Sequence, residues 1–284
     1  MKQIKTLSIY LSFVFLFLSC DKEINIDNIN FTDKLVLNGE LNTNNTMAFT
    51  VSRNLPILVP ADSSGYLIKN ATVEVFEDGV SLGFASYTNK YYELPVKPKP
   101  GKTYRIEVKN GVIKPAYSIV TMPNTFASSA LFKDSIGLDN QGFKIGQLQL
   151  NFQDNNDANY YELLIRYYDA SIQTWFPLVL DSDDPIFVNN QKLKNGGYVF
   201  SDESFKGKNK SLYFTVPFGT FVGAPQFEIS LKTFPEQYYS YLRQLRDYEQ
   251  FGGGINTDPV ILESNVTNGL GMVGSVYNYK DTIY

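Results

Sequence analysis

Apolar and polar residues alternate with a period of two over long parts of the chain, and this alternation limits the fold more than any other feature. It is clear in residues 35–41, 104–109, 147–152 and 161–167. Successive side chains of a β-strand point to opposite faces, so each run indicates a strand with one buried face. Aromatic residues make up 15% of the chain, mostly Tyr and Phe, which favour strands over helices. The sequence therefore predicts an all-β fold.

The first series of predicted strands covers residues 33–122 and carries two turn signals. An Asp-Gly pair at 78–79 separates two alternating runs, and this dipeptide tolerates the positive φ of a tight hairpin turn. A Pro-Gly-x-x-Tyr sequence at 100–104 opens another strand. This sequence resembles the tyrosine corner of immunoglobulin- and fibronectin-like sandwiches, in which the phenol bonds to the backbone upstream. We therefore predict an N-terminal β-sandwich over residues 33–122.

A proline and polar residues around Pro123 mark a domain boundary, and a second series of strands follows over residues 126–284. Its first two predicted strands, 148–152 and 161–167, flank the loop 154–159 and resemble a fibronectin-type hairpin. Further strands are predicted at residues 175–180, 198–200, 212–216 and 227–231. The predicted architecture is therefore two immunoglobulin/fibronectin-like β-sandwich domains.

One α-helix is predicted in the second domain, at about residues 234–250. Thr233 and Glu236 have the spacing of a capping box, and three glycines at 252–254 end the run. Between them, apolar and aromatic side chains recur at helical spacing and predict a stripe packed on the second sheet. The stripe consists of Tyr238, Tyr241, Leu242, Leu245 and Tyr248. The glycine-dense segment 265–274 predicts a tight loop where backbones pack closely, ahead of a closing strand.

The N-terminus carries the features of a lipoprotein signal peptide at residues 1–19. Two lysines precede an apolar run at 7–18, which is shorter than a membrane-spanning helix requires. The small residue Ser19 then precedes Cys20, the single cysteine of the chain, in a pattern that resembles a bacterial lipobox. We predict cleavage before Cys20 and anchoring through lipid on its thiol. An ordinary secretory signal followed by an unmodified cysteine is the alternative.

Residues 20–32 are polar and lack a folding period, so they predict a flexible tether behind the lipidated cysteine. Asp21, Lys22 and Glu23 resemble the export signal of surface-displayed lipoproteins in the Bacteroidota. This resemblance implies a lipid-anchored protein of the outer membrane that faces the cell exterior. The alternative is a protein on the periplasmic face, in which these charges only solvate the linker.

The composition excludes several kinds of chemistry. The chain has no histidine and one cysteine, which excludes Ser-His-Asp and Cys-His nucleophiles, ordinary structural zinc sites and histidine-ligated haem. A formal charge of −4 disfavours nucleic acid as a partner. No carboxylate pair is marked as a glycosidase site. We therefore predict a protein that is not an enzyme, with no catalytic residue, cofactor site or metal ligand.

Two acidic loops leave calcium binding open. Residues 154–159 and 181–184 offer hard oxygen ligands, but the first loop lacks a ligand in its fifth position and a bidentate glutamate in its twelfth. Such sequences are more often solvated turns between strands.

Five short segments together resemble a family of Bacteroidota lipoproteins, the domain of unknown function 4249. They are residues 20–24, 34–39, 200–205, 238–242 and 264–274. The resemblance implies an accessory lipoprotein partnered with a TonB-dependent outer-membrane transporter, and it brings no catalytic residue with it.

The expected function is therefore that of a surface-exposed outer-membrane lipoprotein, a non-catalytic binding or accessory subunit beside a TonB-dependent transporter in nutrient uptake. Its partners are expected to be the membrane, through Cys20, the transporter, and an unidentified small-molecule, glycan or protein ligand. The alternative is a structural or adhesive cell-envelope lipoprotein with no transport role.

Overall fold

Strands dominate the computed structural model, which describes residues 31–56, 66–179, 182–187, 192–217, 226–251 and 262–284. The all-β prediction is therefore confirmed. The strands are β1 (Leu35–Asn42), β2 (Met47–Arg53), β3 (Thr72–Glu77), β4 (Val80–Thr88), β5 (Tyr91–Leu94), β6 (Thr103–Lys109), β7 (Ala116–Thr121), β8 (Ser128–Leu138), β9 (Lys144–Gln153), β10 (Tyr160–Asp169), β11 (Thr174–Pro177), β12 (Tyr198–Ser201), β13 (Asn209–Pro217), β14 (Phe227–Phe234), β15 (Val266–Thr267) and β16 (Val273–Ile283). A helix, α1 (Glu236–Phe251), and a 3-10 turn (Pro185–Phe187) complete the described elements.

The N-terminal strands form a sandwich of two sheets, and strand β4 belongs to both sheets. Residues 80–85 of β4 pair with β3, and residues 86–88 pair with β5. One sheet then runs β1-β2-β5-β4, and the other runs β4-β3-β6-β7-β15. The apolar side of each alternating run lies between the sheets, where Leu37, Phe49, Val75 and Ile106 are each 0% exposed. The alternation in the sequence therefore predicted correctly which face of each strand is buried.

The predicted tyrosine corner is confirmed. Tyr104 is fully buried, and its hydroxyl accepts a hydrogen bond from the backbone amide of Lys99 at 2.9 Å. The same hydroxyl donates to the Glu77 carboxylate at 2.6 Å. Burial, and then this bond to Glu77, raise the pKa of Tyr104 to about 12. The corner therefore ties the start of β6 to the end of β3.

The C-terminal strands form a second sandwich of a three-stranded and a five-stranded sheet. The first sheet runs β13-β9-β8, and the second runs β11-β10-β14-β16, with β12 also paired to β10. Their facing side chains build a separate hydrophobic core that includes Leu150, Leu163, Phe214 and Ile229. This core is rich in aromatic rings, and Phe152 and Tyr161 meet across it with ring centroids 5.2 Å apart.

The predicted hairpin of residues 148–152 and 161–167 is wrong. β9 pairs with β8 and β13, whereas β10 pairs with β11, β12 and β14, so the two strands lie in opposite sheets. The connection 154–159 is an arch over the end of the core. Alternation reports which face of a strand is buried, but it does not report which strand lies beside it.

Helix α1 begins later than the sequence predicts. Thr233 lies inside β14, where it pairs with Tyr277, and the first helical hydrogen bond runs from the Tyr239 amide to the Pro235 carbonyl at 3.1 Å, which places the N-cap at Pro235. The predicted capping box is therefore wrong, although the acidic Glu236 still favours the helix N-terminus. The buried side of the helix is centred on Tyr239, which is 7% exposed, and the far end of the predicted stripe is not buried, since Tyr248 is 49% exposed.

The glycine-dense segment before the last strand packs closely against β1, as predicted. The amides of Leu37 and Gly39 donate to the carbonyls of Leu270 and Met272 at 2.9 and 3.0 Å. Gly271 lies between them with φ +110, and a Cβ there would collide with the carbonyl oxygen of Leu37. Only glycine fits this position.

The last strand joins the two sandwiches. Residues 273–276 of β16 pair in parallel with β1, and residues 277–283 pair antiparallel with β14. The preceding β15 pairs with β7 of the N-terminal sandwich, although it falls within the predicted C-terminal domain. Residues 33–284 form one compact unit around these shared pairings. The division into domains 33–122 and 126–284 stays a prediction.

Candidate functional site

The residues predicted to attach and route the protein lie outside the described part of the chain. These are the lipid-attachment residue Cys20 and the export signal Asp21, Lys22 and Glu23, together with the signal peptide 1–19 and most of the tether 20–32. Among the residues that are described, no helix is both long and apolar enough to cross a bilayer.

The first acidic loop uses its buried carboxylate for internal hydrogen bonds. Asp154 is 4% exposed, and its oxygens accept from the Tyr161 hydroxyl at 2.5 Å and from the Gly207 amide at 2.7 Å. Burial, followed by the bond to Asp154, raises the pKa of Tyr161 far above its ordinary value. Burial also raises the pKa of the neighbouring Asp202 carboxyl, and the charge of Asp154 adds to this shift. The loop therefore holds the arch between β9 and β10.

The second acidic loop is only partly described, since Asp181 lies outside the described residues. Asp184 accepts a hydrogen bond from the Lys210 ammonium at 2.6 Å, and both side chains are largely buried. In the ranges that the structure describes, no three carboxylate, Cys or His side chains come together as a metal site.

A buried ionic cluster lies where the two sandwiches meet. Lys232 of β14 donates to Glu162 of β10 at 3.0 Å and lies 4.0 Å from Glu40 of β1. The hydroxyl of Tyr238 in α1 donates to Glu40 at 2.9 Å. Burial opposes the charge of Lys232, but Glu162 and Glu40 outweigh this effect and raise its pKa. The cluster holds one ammonium and two carboxylates, and its contacts join β1, β10, β14 and α1.

A small cavity opens beside this junction. Its volume is about 210 Å³, and it lies between residues 121–126, the arch 157–159 and Pro235. Ligand pockets are typically about 300–1,000 Å³. The cavity is therefore better matched to water than to an organic ligand.

The outward face of the three-stranded sheet, which we name the amide face, is the most unusual surface described. Its residues are Ser129, Leu131 and Lys133 of β8, Gln147, Gln149, Asn151 and Gln153 of β9, and Asn209, Ser211, Tyr213 and Thr215 of β13. Lys133 is the one charged residue in this set, although 19% of the chain is charged. Amide and hydroxyl groups make up nearly all the rest. They offer both donors and acceptors without a net charge.

Strand register brings the amide face together in rows. Ser129, Asn151 and Ser211 lie side by side in one row, and Leu131, Gln149 and Tyr213 form the next. Because β13 and β9 are 60 residues apart in sequence, no local pattern indicates that these residues share a surface. The alternation of residues 147–152 revealed the β9 part, but β8 was not predicted at all.

The tip of the β8–β9 hairpin exposes apolar side chains. Ile136, Leu138 and Phe143 are 49%, 65% and 51% exposed. The register of β8 shifts between Lys133 and Gly137, which marks a bulge just before this tip. Exposed apolar groups that cluster at one place are typical of protein contacts.

These observations define an all-β protein whose described residues build one hydrophobic core in each sandwich and a smaller cluster under the helix, which precedes a shared last strand. The chain belongs to the family described as Domain of unknown function (DUF4249), whose model matches residues 21–282. The resemblance found in the sequence is therefore confirmed. No curated protein matches the chain.

Proposed function

We propose that this protein is a lipoprotein of the outer membrane, held at the cell surface through Cys20, and a non-catalytic binding or accessory subunit beside a TonB-dependent transporter in nutrient uptake. The observation that carries this proposal is the start of the family match. It begins at Asp21, directly behind the predicted lipid-attachment residue. The family's domain thus starts where a mature lipoprotein would start.

The physical basis for anchoring is the number of acyl chains. Each buried methylene contributes about 0.8 kcal/mol, and one chain alone binds a membrane only marginally. A cysteine with several chains therefore holds the protein stably. From Cys20 to the first residue of β1, the chain can reach about 3.3 Å per residue, so the sandwiches can lie tens of ångströms from the lipid.

The hairpin tip supplies a contact surface for the transporter. Leu138 and Phe143 are both more than half exposed. Their burial against a partner would remove apolar area from water at about 25 cal/mol per Å². The register shift between Lys133 and Gly137 lies just before this tip.

The experiment is an affinity pull-down of the tagged protein from detergent-solubilised outer membrane, followed by mass spectrometry. We expect a TonB-dependent transporter to co-purify. The double variant Leu138→Ser/Phe143→Ser should reduce its recovery severalfold. Val112→Ser is the matched control, because Val112 is 90% exposed on the other sandwich.

Two further results bear on the alternatives. Recovery of the protein alone would contradict the transporter partnership and favour a structural or adhesive envelope lipoprotein. Cys20→Ala should release the protein from the membrane. Antibody labelling of intact cells should detect the protein, whereas labelling only after permeabilisation would place it on the periplasmic face.

A further inference from the structure

The amide face is pre-arranged by its own hydrogen bonds. Gln149 Nε2 donates to Asn151 Oδ1 at 2.9 Å and to the Tyr213 hydroxyl at 3.3 Å. Ser211 Oγ donates to the same Asn151 Oδ1 at 2.7 Å. These bonds fix the orientation of four side chains, so binding would cost little additional side-chain entropy.

The centre of the face is apolar and exposed. Tyr213 is 47% exposed and Leu131 is 39% exposed, and they flank Gln149 in one row. An uncovered aromatic ring surrounded by amides and hydroxyls combines an apolar platform with a hydrogen-bonding rim. This is the pairing of groups that a sugar ring requires, because it has C–H faces and hydroxyl edges.

The dimensions of the face suit an extended chain. Rows two residues apart are about 6.6 Å apart along the strands, so the four rows from Gln153 to Gln147 span about 20 Å. A hollow of about 320 Å³ lies at the Thr215 end, and another of about 420 Å³ lies at the Asn209 end. Both hollows are larger than the junction cavity, and both are open depressions on the surface of the sheet. Asp183 and Asp184 border the first hollow, and Lys210 neutralises Asp184 at 2.6 Å.

Other ligand classes fit this face less well. Nucleic acid and anionic polymers require clustered basic residues, and the face offers only Lys133. The centres of protein interfaces are enriched in Arg, Met and several aromatic residues, whereas this face has one aromatic residue and neither Arg nor Met. A lipid surface would need more apolar area than Leu131 provides.

We propose that the amide face of β8, β9 and β13 binds a neutral oligosaccharide, which lies along the strands with one sugar ring on Tyr213. Gln149, Asn151 and Ser211 bond the sugar hydroxyls, and the two hollows hold the ring substituents at either end. Sheet faces in other architectures also bind oligosaccharides, so the geometry has physical precedent.

The test uses the purified full-length protein in a detergent without a sugar headgroup, because a maltoside would compete for the site. The protein is applied to an array of neutral and charged glycans, and each hit is then titrated by calorimetry. We expect binding to one or more neutral oligosaccharides and none to heparin or polygalacturonate. Absence of any neutral hit at about 1 mM glycan would overturn the proposal. Binding to charged glycans alone would overturn it as well.

Two variants locate the site. Tyr213→Ala should weaken the titrated affinity about tenfold or more, since it removes the aromatic platform. Its matched control is Tyr91→Ala, because Tyr91 is also 47% exposed but lies on the N-terminal sandwich. Asn151→Asp should also weaken binding, because it replaces the Nδ2 donor by an acceptor while Oδ1 keeps its bonds from Gln149 and Ser211. Equal affinities for the wild type and Tyr213→Ala would contradict the assignment.

This inference stands apart from the proposed transporter partnership. Glycan affinity is measured on the isolated protein, so it can hold whether or not a transporter co-purifies. The hairpin variant Leu138→Ser/Phe143→Ser should bind glycan as the wild type does.

Discussion

The two sandwiches present very different outer faces to solvent. On the N-terminal one, Arg105 and Lys109 pair with Glu107 at 2.7 and 3.3 Å, and the Arg105 guanidinium covers the Tyr117 ring at 4.3 Å. On the three-stranded sheet of the C-terminal one, amides replace the charges and Tyr213 is 47% exposed, whereas the opposite sheet of that sandwich pairs Glu228 with Arg166 and Lys280 at 3.4 and 2.7 Å. A sheet face that only needs to stay soluble can be charged and self-paired. The comparison thus separates a charged, self-paired face from the uncharged amide face that we propose binds a glycan.

The two sandwiches also differ in how deeply they bury a carboxylate. Each sandwich buries a tyrosine whose hydroxyl donates to a carboxylate, Tyr104 to Glu77 and Tyr161 to Asp154. Glu77 retains contact with solvent and with Lys99, whereas Asp154 is 4% exposed. The N-terminal sandwich therefore keeps its charges at the rim, and the C-terminal sandwich holds one inside its arch.

The largest expected effect tests whether the two sandwiches unfold together. Ile106→Ala and Ile229→Ala each remove a fully buried side chain, one from each core, and should cost about 2–5 kcal/mol. Because β16 pairs with both sheets, Ile106→Ala should also lower the urea midpoint reported by Trp175, the single tryptophan, which lies in β11. Fluorescence and far-UV circular dichroism are the measurements.

Val112→Ala is the control for this pair, since Val112 is 90% exposed and its loss should leave the midpoint unchanged. An unchanged Trp175 midpoint in Ile106→Ala, with an earlier loss of circular dichroism, would show two independent domains instead.

A smaller effect should distinguish the two carboxylates. Asp154→Asn should cost about 2–3 kcal/mol, because the NH2 group that replaces one oxygen must face either the Tyr161 hydroxyl or the Gly207 amide, and both are donors to the native carboxylate. Glu77→Gln should cost about 1 kcal/mol or less, since water can reach the new amide. Urea denaturation at neutral pH measures both. Equal costs would show that the burial of Asp154 has no energetic consequence.

The smallest effect concerns alkaline pH. The pKa of Tyr104 is raised from 10.0 to about 12, so its contribution to stability is fully present below pH 10 and is lost as pH rises toward 12. Tyr104→Phe should lower the unfolding free energy by about 1 kcal/mol at neutral pH. Between pH 10 and pH 12, Tyr104→Phe should also lose less stability than the wild type loses.

Urea midpoints collected across that range provide the measurement. Tyr161→Phe is the companion variant, because burial and Asp154 raise the Tyr161 pKa even further. Parallel pH profiles for wild type and Tyr104→Phe would refute the linkage.

Much of the fold could be predicted from local signals. Alternation located β1 within a residue, and the Pro-Gly-x-x-Tyr sequence located the bond from Lys99 to Tyr104. These predictions succeeded because the physical cause, a pleat or a turn, lies within a few residues. The prediction of a hairpin after β9 was wrong, because the pairing of strands depends on contacts across the whole core and not on residues near the turn.

The candidate surface was less predictable. Strand β8 was missed because every residue after Phe132 in it is exposed. Its sequence therefore alternates only weakly there and does not predict a strand. The rows of the amide face combine β9 with β13, and only the tertiary fold brings Asn151 beside Ser211. The anchor residue Cys20, in contrast, was recognisable from its neighbours alone, and its role stays a prediction.

The shared last strand also sets an order on folding. Asn38 and Met272 are 234 residues apart, yet their hydrogen bond belongs to the first sandwich. Its sheet therefore stays open at β1 until the carboxyl end of the chain arrives, and closing so long a loop is slow. If the chain is exported from its amino end, as the proposed lipoprotein role implies, this delay would keep the N-terminal sandwich incomplete until translocation has finished.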